Sequence, residues 1–306
     1  MFTSSHSAAR RRALGAATAA ALALTLVACG SSSESSMPGM DHGTKPSASS
    51  TPRVTPSTGG MPGMDHMADG SGLSDTEHGF RLTSRDMTLP AGGHAAYRFT
   101  VTGPDRKPVT DFAVDQTKRM HFYAIRADLT GFQHIHPTMA EGGAWTARPA
   151  SLAPGSWRLF ASFTPDSGAG RGRALVLSRT VTVPGAAARV PLPAAASTAE
   201  TDGYTVAVKG KPMAGMAHPL IVTITRNGKP VAGLQPYLDS YAHLTAFHEG
   251  DTAFAHLHPQ TKVNGDHGGP ELSFHAELPK SGNWRLFLQF RTGGKLHTAA
   301  LTLHVG

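Results

Sequence analysis

The chain has 306 residues, a formal net charge of +7 and a single cysteine. This length suffices for two domains of ordinary size. Because the basic residues are scattered rather than clustered, the charge gives no indication of a nucleic-acid-binding surface. A single cysteine excludes an internal disulfide and, once that residue is lipidated, leaves no thiolate for metal binding or nucleophilic catalysis.

The first 28 residues have the features of a lipoprotein signal peptide. Three arginines at 10–12 precede an apolar run at 13–27 that is too short to span a bilayer permanently. The run continues into the sequence LVAC, ending at Cys29, which resembles a bacterial lipobox. The resemblance implies cleavage before Cys29 and a lipid that anchors the protein to the outer face of the cell membrane. The alternative is an ordinary secretory signal in which Cys29 has no role.

Residues 29–77 are rich in Ser, Gly, Pro and Met and are predicted to form a disordered tether. The hexapeptide MPGMDH occurs twice in it, and a looser version lies near the start of the second domain. Thioethers are soft ligands, so these segments suit Cu(I) better than a hard cation. The alternative is a low-complexity linker with incidental methionines. The predicted ligands are Met37, Met40, His42, Met61, Met64, His66, Met213, Met216 and His218.

After the tether, short runs of alternating apolar and polar residues are separated by Gly, Pro and Asp, without long helical periodicity. This texture predicts an all-β protein with two tandem β-sandwich domains of immunoglobulin-like or cupredoxin-like type. We expect the domains to span residues 78–184 and 200–306, joined by a linker rich in Ala and Pro at 185–199.

The two predicted domains are copies of one unit. HIHP at 134–137 recurs as HLHP at 256–259, and each has another histidine thirteen residues before its first, all at an offset of 122. After a short insertion the offset becomes 127, where WRLF at 157–160 recurs at 284–287. The repeat therefore has the size of a domain rather than of a solenoid unit.

Strand alternation places both histidines of an HxH pair on one face. A turn centred on Glu249 and Gly250 would set His243 directly opposite His256, with His258 diagonally adjacent. We therefore predict one metal-binding trio in each domain, formed by His121, His134 and His136 in the first and by His243, His256 and His258 in the second.

Three imidazoles with an open fourth position suit copper and zinc alike. Burying them without a metal would leave several ring nitrogens in need of partners. Met120 and Met139 lie near the first trio in sequence, and thioethers add little to a zinc site. The sequence therefore predicts copper, as Cu(I) or Cu(II), with zinc as the alternative.

Two segments, KRMHFYAIRADLTGFQHIHPTM at 118–139 and GLQPYLDSYAHLTAFHEGDTAFAHLHP at 233–259, resemble a family of secreted proteins and lipoproteins of actinobacteria with tandem β-sandwich modules. The resemblance covers most of residues 78–306 and implies an extracytoplasmic protein that handles copper or other heavy metals. The MPGMDH segments similarly resemble the methionine and histidine motifs of bacterial copper-resistance proteins.

The main functional prediction is a copper-binding lipoprotein of the cell surface that sequesters copper or delivers it to an extracytoplasmic copper protein. A cupin-like or zinc-dependent enzyme is less favoured, because Glu141 after His136 has no counterpart after His258 and no acidic residue recurs near the histidines. A metal-free structural surface module is the third alternative. We therefore predict a protein without enzymatic activity.

Overall fold

The computed structural model describes residues 71–93 and 95–306. Both β-domains belong to one compact unit. Within the described ranges, no helix is both long and apolar enough to cross a membrane. The signal peptide and the predicted lipidation site Cys29 lie outside the described residues. The same is true of six predicted metal ligands, Met37, Met40, His42, Met61, Met64 and His66.

The described residues of the first domain form nine strands, which are β1 (Thr76–Glu77), β2 (Phe80–Thr83), β3 (Tyr97–Thr102), β4 (His121–Arg126), β5 (Gln133–Ile135), β6 (Thr138–Met139), β7 (Ala144–Ala147), β8 (Gly155–Phe163) and β9 (Leu175–Val183). Two short 3-10 turns lie at Glu141–Gly143 and Gly168–Gly170. The strands build a sandwich of a five-stranded sheet, ordered β1-β2-β3-β7-β6, and a four-stranded sheet, ordered β5-β4-β8-β9.

In the second domain the described strands are β10 (Thr198–Thr201), β11 (Tyr204–Lys209), β12 (Ala217–Arg226), β13 (Lys229–Pro230), β14 (Ala242–His248), β15 (Phe254–Pro259), β16 (Glu271–Glu277), β17 (Gly282–Thr292) and β18 (Lys295–Val305). They follow the order β10-β11-β12-β16-β15-β14-β17-β18, with β13 beside β12. The two layers of this sandwich form one continuous sheet, because β15 pairs with β14 in its first part and with β16 in its last part. The predicted fold class, tandem all-β sandwiches, is confirmed.

Both sandwiches have their own hydrophobic core, built by strand alternation. In β3 and β11 buried side chains alternate with more exposed ones. Trp157 and Trp284, at equivalent positions of the repeat, are fully buried in the two cores. Their indole N–H groups donate to the carbonyls of Ala153 and Lys280, four residues earlier in each case, at 2.8 and 2.9 Å. The duplication visible in the sequence therefore preserved the core.

The central strands β4 and β14 depart from this alternation. Five consecutive residues at 121–125 and six at 242–247 are buried, so both faces of each strand are covered. The inner faces line the two sandwich cores, and the outer faces meet each other. A third hydrophobic cluster lies between the domains and contains Tyr123, Ile125, Leu129, Phe160, Val176, Phe247, Phe254 and Phe287.

The two outer faces pack against each other with approximate two-fold symmetry. Phe132 of the first domain stacks on Phe287 of the second, with ring centroids 4.3 Å apart. The equivalent pair, Phe254 of the second domain and Phe160 of the first, has centroids 5.4 Å apart. This contact is thus repeated with the roles of the domains exchanged, as in the isologous interface of a symmetric dimer. We call this surface the interdomain interface.

The histidine hairpin of the second domain has a different register from the predicted one. His256 pairs with Thr245 rather than His243, because the turn is centred one residue later. Residues 249–252 form the loop, Thr252 has a positive φ of 62°, and the amide of His248 donates to the carbonyl of Ala253 at 2.9 Å. A register change of two residues preserves the side-chain period, so the histidines still share one face.

The folded region also starts before residue 78. Leu73 packs against the core of the second domain, and β1 begins at Thr76, although both residues fall within the predicted tether. Similarly, β10 begins at Thr198, inside the predicted linker. A short polar segment without its own apolar pattern gains order from partners distant in the sequence, and that contribution is not visible locally.

We predict that Gly131→Ala destabilises the first domain more than Gly142→Ala does. Both glycines have positive φ, 70° and 80°, so both substitutions carry the left-handed penalty of roughly 1–2 kcal/mol. Only at Gly131 would the new Cβ collide with the buried ring of Trp157, whereas at Gly142 it meets no atom within 4 Å among the described residues. Overpacking should cost a further 1–3 kcal/mol, roughly. Urea unfolding of the two variants measures the difference, and equal losses would contradict this packing.

Candidate metal centre

The six predicted histidine ligands come together in one place on the interdomain interface. The rings of His121 and His243, equivalent by the repeat, have centroids 6.0 Å apart. His121 lies 6.5 Å from His256, and the symmetry-related pair His134 and His243 is separated by 5.4 Å. These distances resemble the 5.2 Å between His121 and His134 inside the first trio. The two trios, expected as one site per domain, therefore form a single group, which we call the histidine cluster.

Tight turns determine where each cluster strand begins. Gln116 and Thr117, both with positive φ, form a two-residue turn between Asp115 and Lys118, which exchange two backbone hydrogen bonds of 2.8 Å. The turn brings the Asp115 carbonyl to the ring of His121, whose Nε2–H donates to it at 3.1 Å. The same turn type precedes His243 at residues 237–240, which indicates that the local device was duplicated with the histidines.

The first trio has the geometry of a metal site. One nitrogen from each of His121, His134 and His136 lies within 4.8 Å of the others. His121 Nδ1 and His134 Nε2 are 3.0 Å apart. Two nitrogens bound to one tetrahedral ion at 2.0–2.1 Å would lie about 3.3 Å apart, so this separation suits ligands of a shared ion.

The partners of these rings decide which nitrogens carry protons. Since a carbonyl only accepts, His121 must be protonated on Nε2, and its Nδ1 offers a lone pair. His134 Nδ1 lies 2.9 Å from Oε1 of Gln289, a buried side chain of the second domain. With this amide oxygen facing it, Nδ1–H of His134 donates and its Nε2 also offers a lone pair. Two lone pairs then face each other across 3.0 Å, an arrangement that a bound cation stabilises.

The second trio repeats this pattern less compactly. His243 Nδ1 and His256 Nε2 are 3.3 Å apart, and the ring centroid of His258 lies 4.9 Å from that of His256. His243 is fully buried, and its Nε2 makes no well-formed hydrogen bond to any described residue, although the backbone of Leu238 lies close enough to the ring to favour its protonated form. His136 Nε2 likewise makes no well-formed hydrogen bond within the described ranges. A neutral imidazole offers one lone pair, so His243 could coordinate through Nδ1 or through Nε2 but not both, and His136 Nε2 is a further candidate.

Burial keeps five of the six cluster histidines neutral. Desolvation, reinforced by the neighbouring imidazoles, lowers the pKa of His136 to about 4 and that of His243 to about 3. Desolvation by burial also lowers the pKa values of His121, His134 and His256 below the ordinary 6.5. At pH 7 these rings therefore carry no charge, which is the protonation state that a metal ion requires.

A pocket of about 340 Å³ opens beside the cluster on the side of the second trio. Its lining includes His121, His256 and His258 together with the carboxylates of Asp115 and Glu277. The cluster is therefore reachable from solvent.

The methionines used to distinguish copper from zinc do not lie at this site. Met120 is buried in the core of the first sandwich, and Met139 packs against the same core. The physical reason is strand alternation, because Met120 precedes His121 directly and so points to the opposite face. That part of the argument for copper is corrected by the structure.

The structure likewise leaves the third Met/His segment apart from the cluster. Met213 and Met216 are exposed on a loop, at 50% and 54%. His218 shares a face of β12 with Leu220 and Val222 of the second core, so it faces away from the interdomain interface. Conversely, the sequence did not lead us to predict Gln289 as a site residue. Its only signal in the sequence was that the repeat aligns it with Ser162, a residue of a different type.

A family model described as a domain of unknown function, DUF8832, matches residues 75–183 and again 199–306. No curated protein shows significant sequence similarity to the chain.

Among solved structures, similarity is distant. The Escherichia coli adhesin FdeC is 13% identical over 76% of this chain and 65% of its own, with a TM-score of 0.25. InvD of Yersinia pseudotuberculosis is 15% identical over 76% of this chain and 59% of its own, also with a TM-score of 0.25. A tetra-tandem repeat from the extending region of a large adhesion protein is 14% identical over 74% and 48%, with the same TM-score.

The chain thus spans between about half and two thirds of these solved structures. TM-scores this low give no information about function. The two matches to the family model together cover more than half of the chain, and each contains one histidine trio of the cluster. The chain therefore belongs to the DUF8832 family and contains that domain twice.

Proposed function

We propose that the protein is a metal-binding lipoprotein of the cell surface that holds a transition-metal ion, copper or alternatively zinc, in the histidine cluster. One observation carries the proposal. The first trio presents three ring nitrogens within 4.8 Å of one another, and two of them lie 3.0 Å apart. A neutral, buried group of imidazoles is the usual environment for Zn²⁺, Cu(I) or Cu(II).

The identity of the metal rests on the sequence outside the described residues. The cluster contains nitrogen ligands only, and these suit copper and zinc alike. The repeated MPGMDH segments add soft ligands in the same chain, and this supports copper. Such a protein would sequester copper outside the cytoplasm or pass it to an extracytoplasmic copper protein. Cys29 would supply the lipid anchor.

A metal-free structural surface module is the second candidate, and the same atoms support it. If the Gln289 amide turns over, its Nε2–H donates to His134 Nδ1, His134 Nε2–H donates to His121 Nδ1, and His121 Nε2–H donates to Asp115. Each of these rings would then be satisfied without a metal, and the chain of hydrogen bonds would connect the two domains. Metal content separates the two candidates.

We predict that replacing His134 and His136 together with alanine abolishes stoichiometric metal binding. The wild-type protein should gain about 2.7 kcal/mol of stability at metal concentrations one hundred times Kd, enough to raise Tm by several degrees. The double variant should show no metal-induced rise. His304→Ala is the matched control, since His304 lies on β18 and contacts Asn283 rather than the cluster.

Metal analysis after dialysis, followed by thermal unfolding with and without Cu(II), Cu(I) or Zn²⁺, measures both effects. Wild-type metal content in the double variant would exclude the site. An unchanged Tm of the wild-type protein with every metal would favour the structural module.

We predict that the metal-free protein loses stability as the pH falls from about 6.5 towards 4. The cluster histidines have lowered pKa values in the folded state, so in this interval the unfolded chain binds more protons than the folded one. His243→Gln should flatten the dependence, since it removes a deeply buried imidazole whose pKa is lowered to about 3. Thermal unfolding in the presence of a chelator provides the measurement, and stability that rises on acidification would contradict it.

We predict that Cys29→Ala releases the protein from the membrane fraction or leaves it unprocessed. The lipobox resemblance gives this cysteine no other use, and the lipid would be attached to its sulfur. Fractionation of cells and intact-mass measurement test this. Unchanged fractionation together with unchanged mass would refute the anchor.

A further inference from the structure

The 340 Å³ pocket has a counterpart at the other trio of the histidine cluster. This second pocket, of about 320 Å³, is lined by His136, just as the first is lined by the equivalent histidine, His258. We call it the His136 pocket. Two more pairs of repeat-equivalent residues line the two pockets, namely Asp115 and Thr164 in the first and Tyr237 and Arg291 in the second. The duplication therefore produced related pockets whose charged residues differ.

Arg291 is presented to the His136 pocket by strand β17. Residues two apart share a face of a strand, so Arg291 lies on the same side as Phe287 and Gln289, which face the interdomain interface. Its Cζ atom lies 5.3 Å from the centroid of the Tyr237 ring. That ring in turn packs edge-on against His243, with centroids 5.8 Å apart. The cation–π contact orients the guanidinium beside the cluster but does not neutralise its charge.

Two positive charges at this pocket have no anionic partner among the described residues. The lining contains Arg291 and Lys118 but no Asp or Glu, and neither cation forms an ion pair within the described part of the chain. Besides burial and the His121 ring, the charge of Lys118 lowers the pKa of His136, so this ammonium group lies near the imidazole. A pocket with two uncompensated cations favours an anionic occupant.

A buried donor at the same place also lacks an acceptor. The Nε atom of Arg291 is buried and makes no hydrogen bond to any described residue. A guanidinium is always protonated, so this atom carries an N–H that needs an acceptor. Buried donors without acceptors are costly, and a bound ligand with an anionic oxygen would remove that cost.

The shape and walls of the pocket indicate which class of anion fits. The planar guanidinium matches the two oxygens of a carboxylate, which can accept two parallel hydrogen bonds from it. Pro236, Leu238 and the Tyr237 ring supply apolar walls. Such walls suit a carboxylate attached to a small apolar group better than a fully hydrated inorganic anion.

We propose that the His136 pocket binds a small organic carboxylate, with its charged oxygens on Arg291 and Lys118 and its apolar part against Pro236, Tyr237 and Leu238. Because His136 belongs to both the pocket and the first trio, this ligand lies beside the metal-binding group. The inference goes beyond the proposed function and does not depend on it, since both cations belong to the protein itself.

The test uses the full chain in detergent, freed of metal with a chelator, and titrates it with benzoate in a calorimeter. Benzoate should bind saturably at one site, and benzamide, its neutral analogue, should bind at least about tenfold more weakly, because it lacks the charge that the two cations attract. Inorganic phosphate should bind more weakly than benzoate. Equal binding of benzamide, or tighter binding of phosphate, would overturn the proposed ligand class.

Variants assign the binding to the pocket. Arg291→Gln and Lys118→Gln should each weaken benzoate binding, the first at least about tenfold, since it removes the paired charge-assisted hydrogen bonds. Arg285→Gln is the matched control, because Arg285 lies on the same strand and also lies over an aromatic ring, that of Phe287, but does not line the pocket. It should bind benzoate as the wild type does.

Lys118→Gln keeps the test decisive if Arg291→Gln fails to fold. Wild-type affinity in the folded pocket variants, or an equal loss in Arg285→Gln, would overturn the inference. Because the titration is done without metal, neither outcome bears on the histidine cluster as a metal site. Conversely, wild-type metal content after His134 and His136 are both replaced with alanine would exclude the metal site and leave the carboxylate site untouched.

Discussion

The structure depends on the packing of two sheet faces that would be solvent-exposed in an isolated sandwich. In each domain the central strand buries one face in its own core and presents the other to the second domain. Aromatic rings fill most of this interface, and the histidines occupy the remainder. Because the faces are copies, several of their contacts recur in pairs about an approximate two-fold axis. The histidine cluster lies on that axis, so the duplication of one trio was sufficient to create a group of six imidazoles.

The approximate symmetry also explains where the site is unequal. At one pair of equivalent positions, Gln289 closes one side of the cluster and Ser162 leaves the other side open. A second difference precedes the histidines. The Asp115 carbonyl accepts a well-formed hydrogen bond from His121, whereas the contact of the His243 ring with the Leu238 backbone does not reach that geometry among the described residues. A duplicated domain can therefore keep the ligands in both copies and change the surroundings in one. An ion that enters the cluster from solvent needs only one open side.

The hydrophobic and polar parts of the interdomain interface have different consequences. Apolar packing of Phe132 on Phe287 and of Phe160 on Phe254 stabilises the docked arrangement without any ion. The same burial removes water from the imidazoles and lowers their pKa values, so they remain uncharged at neutral pH. The interface therefore keeps these imidazoles in the neutral form before any metal ion binds.

The sequence alone determined the duplication, the all-β class and the set of six histidines. Strand period two also placed each HxH pair on one face, and that result survived an error of two residues in the hairpin register. Local periodicity does not specify how two complete sandwiches dock, since docking depends on the complementarity of whole faces. Only the tertiary structure could therefore merge the trios, bring Gln289 to His134 and place Ser71 at the 340 Å³ pocket. It also turned Met120 into the core, where its sulfur is separated from the histidines by the sheet itself.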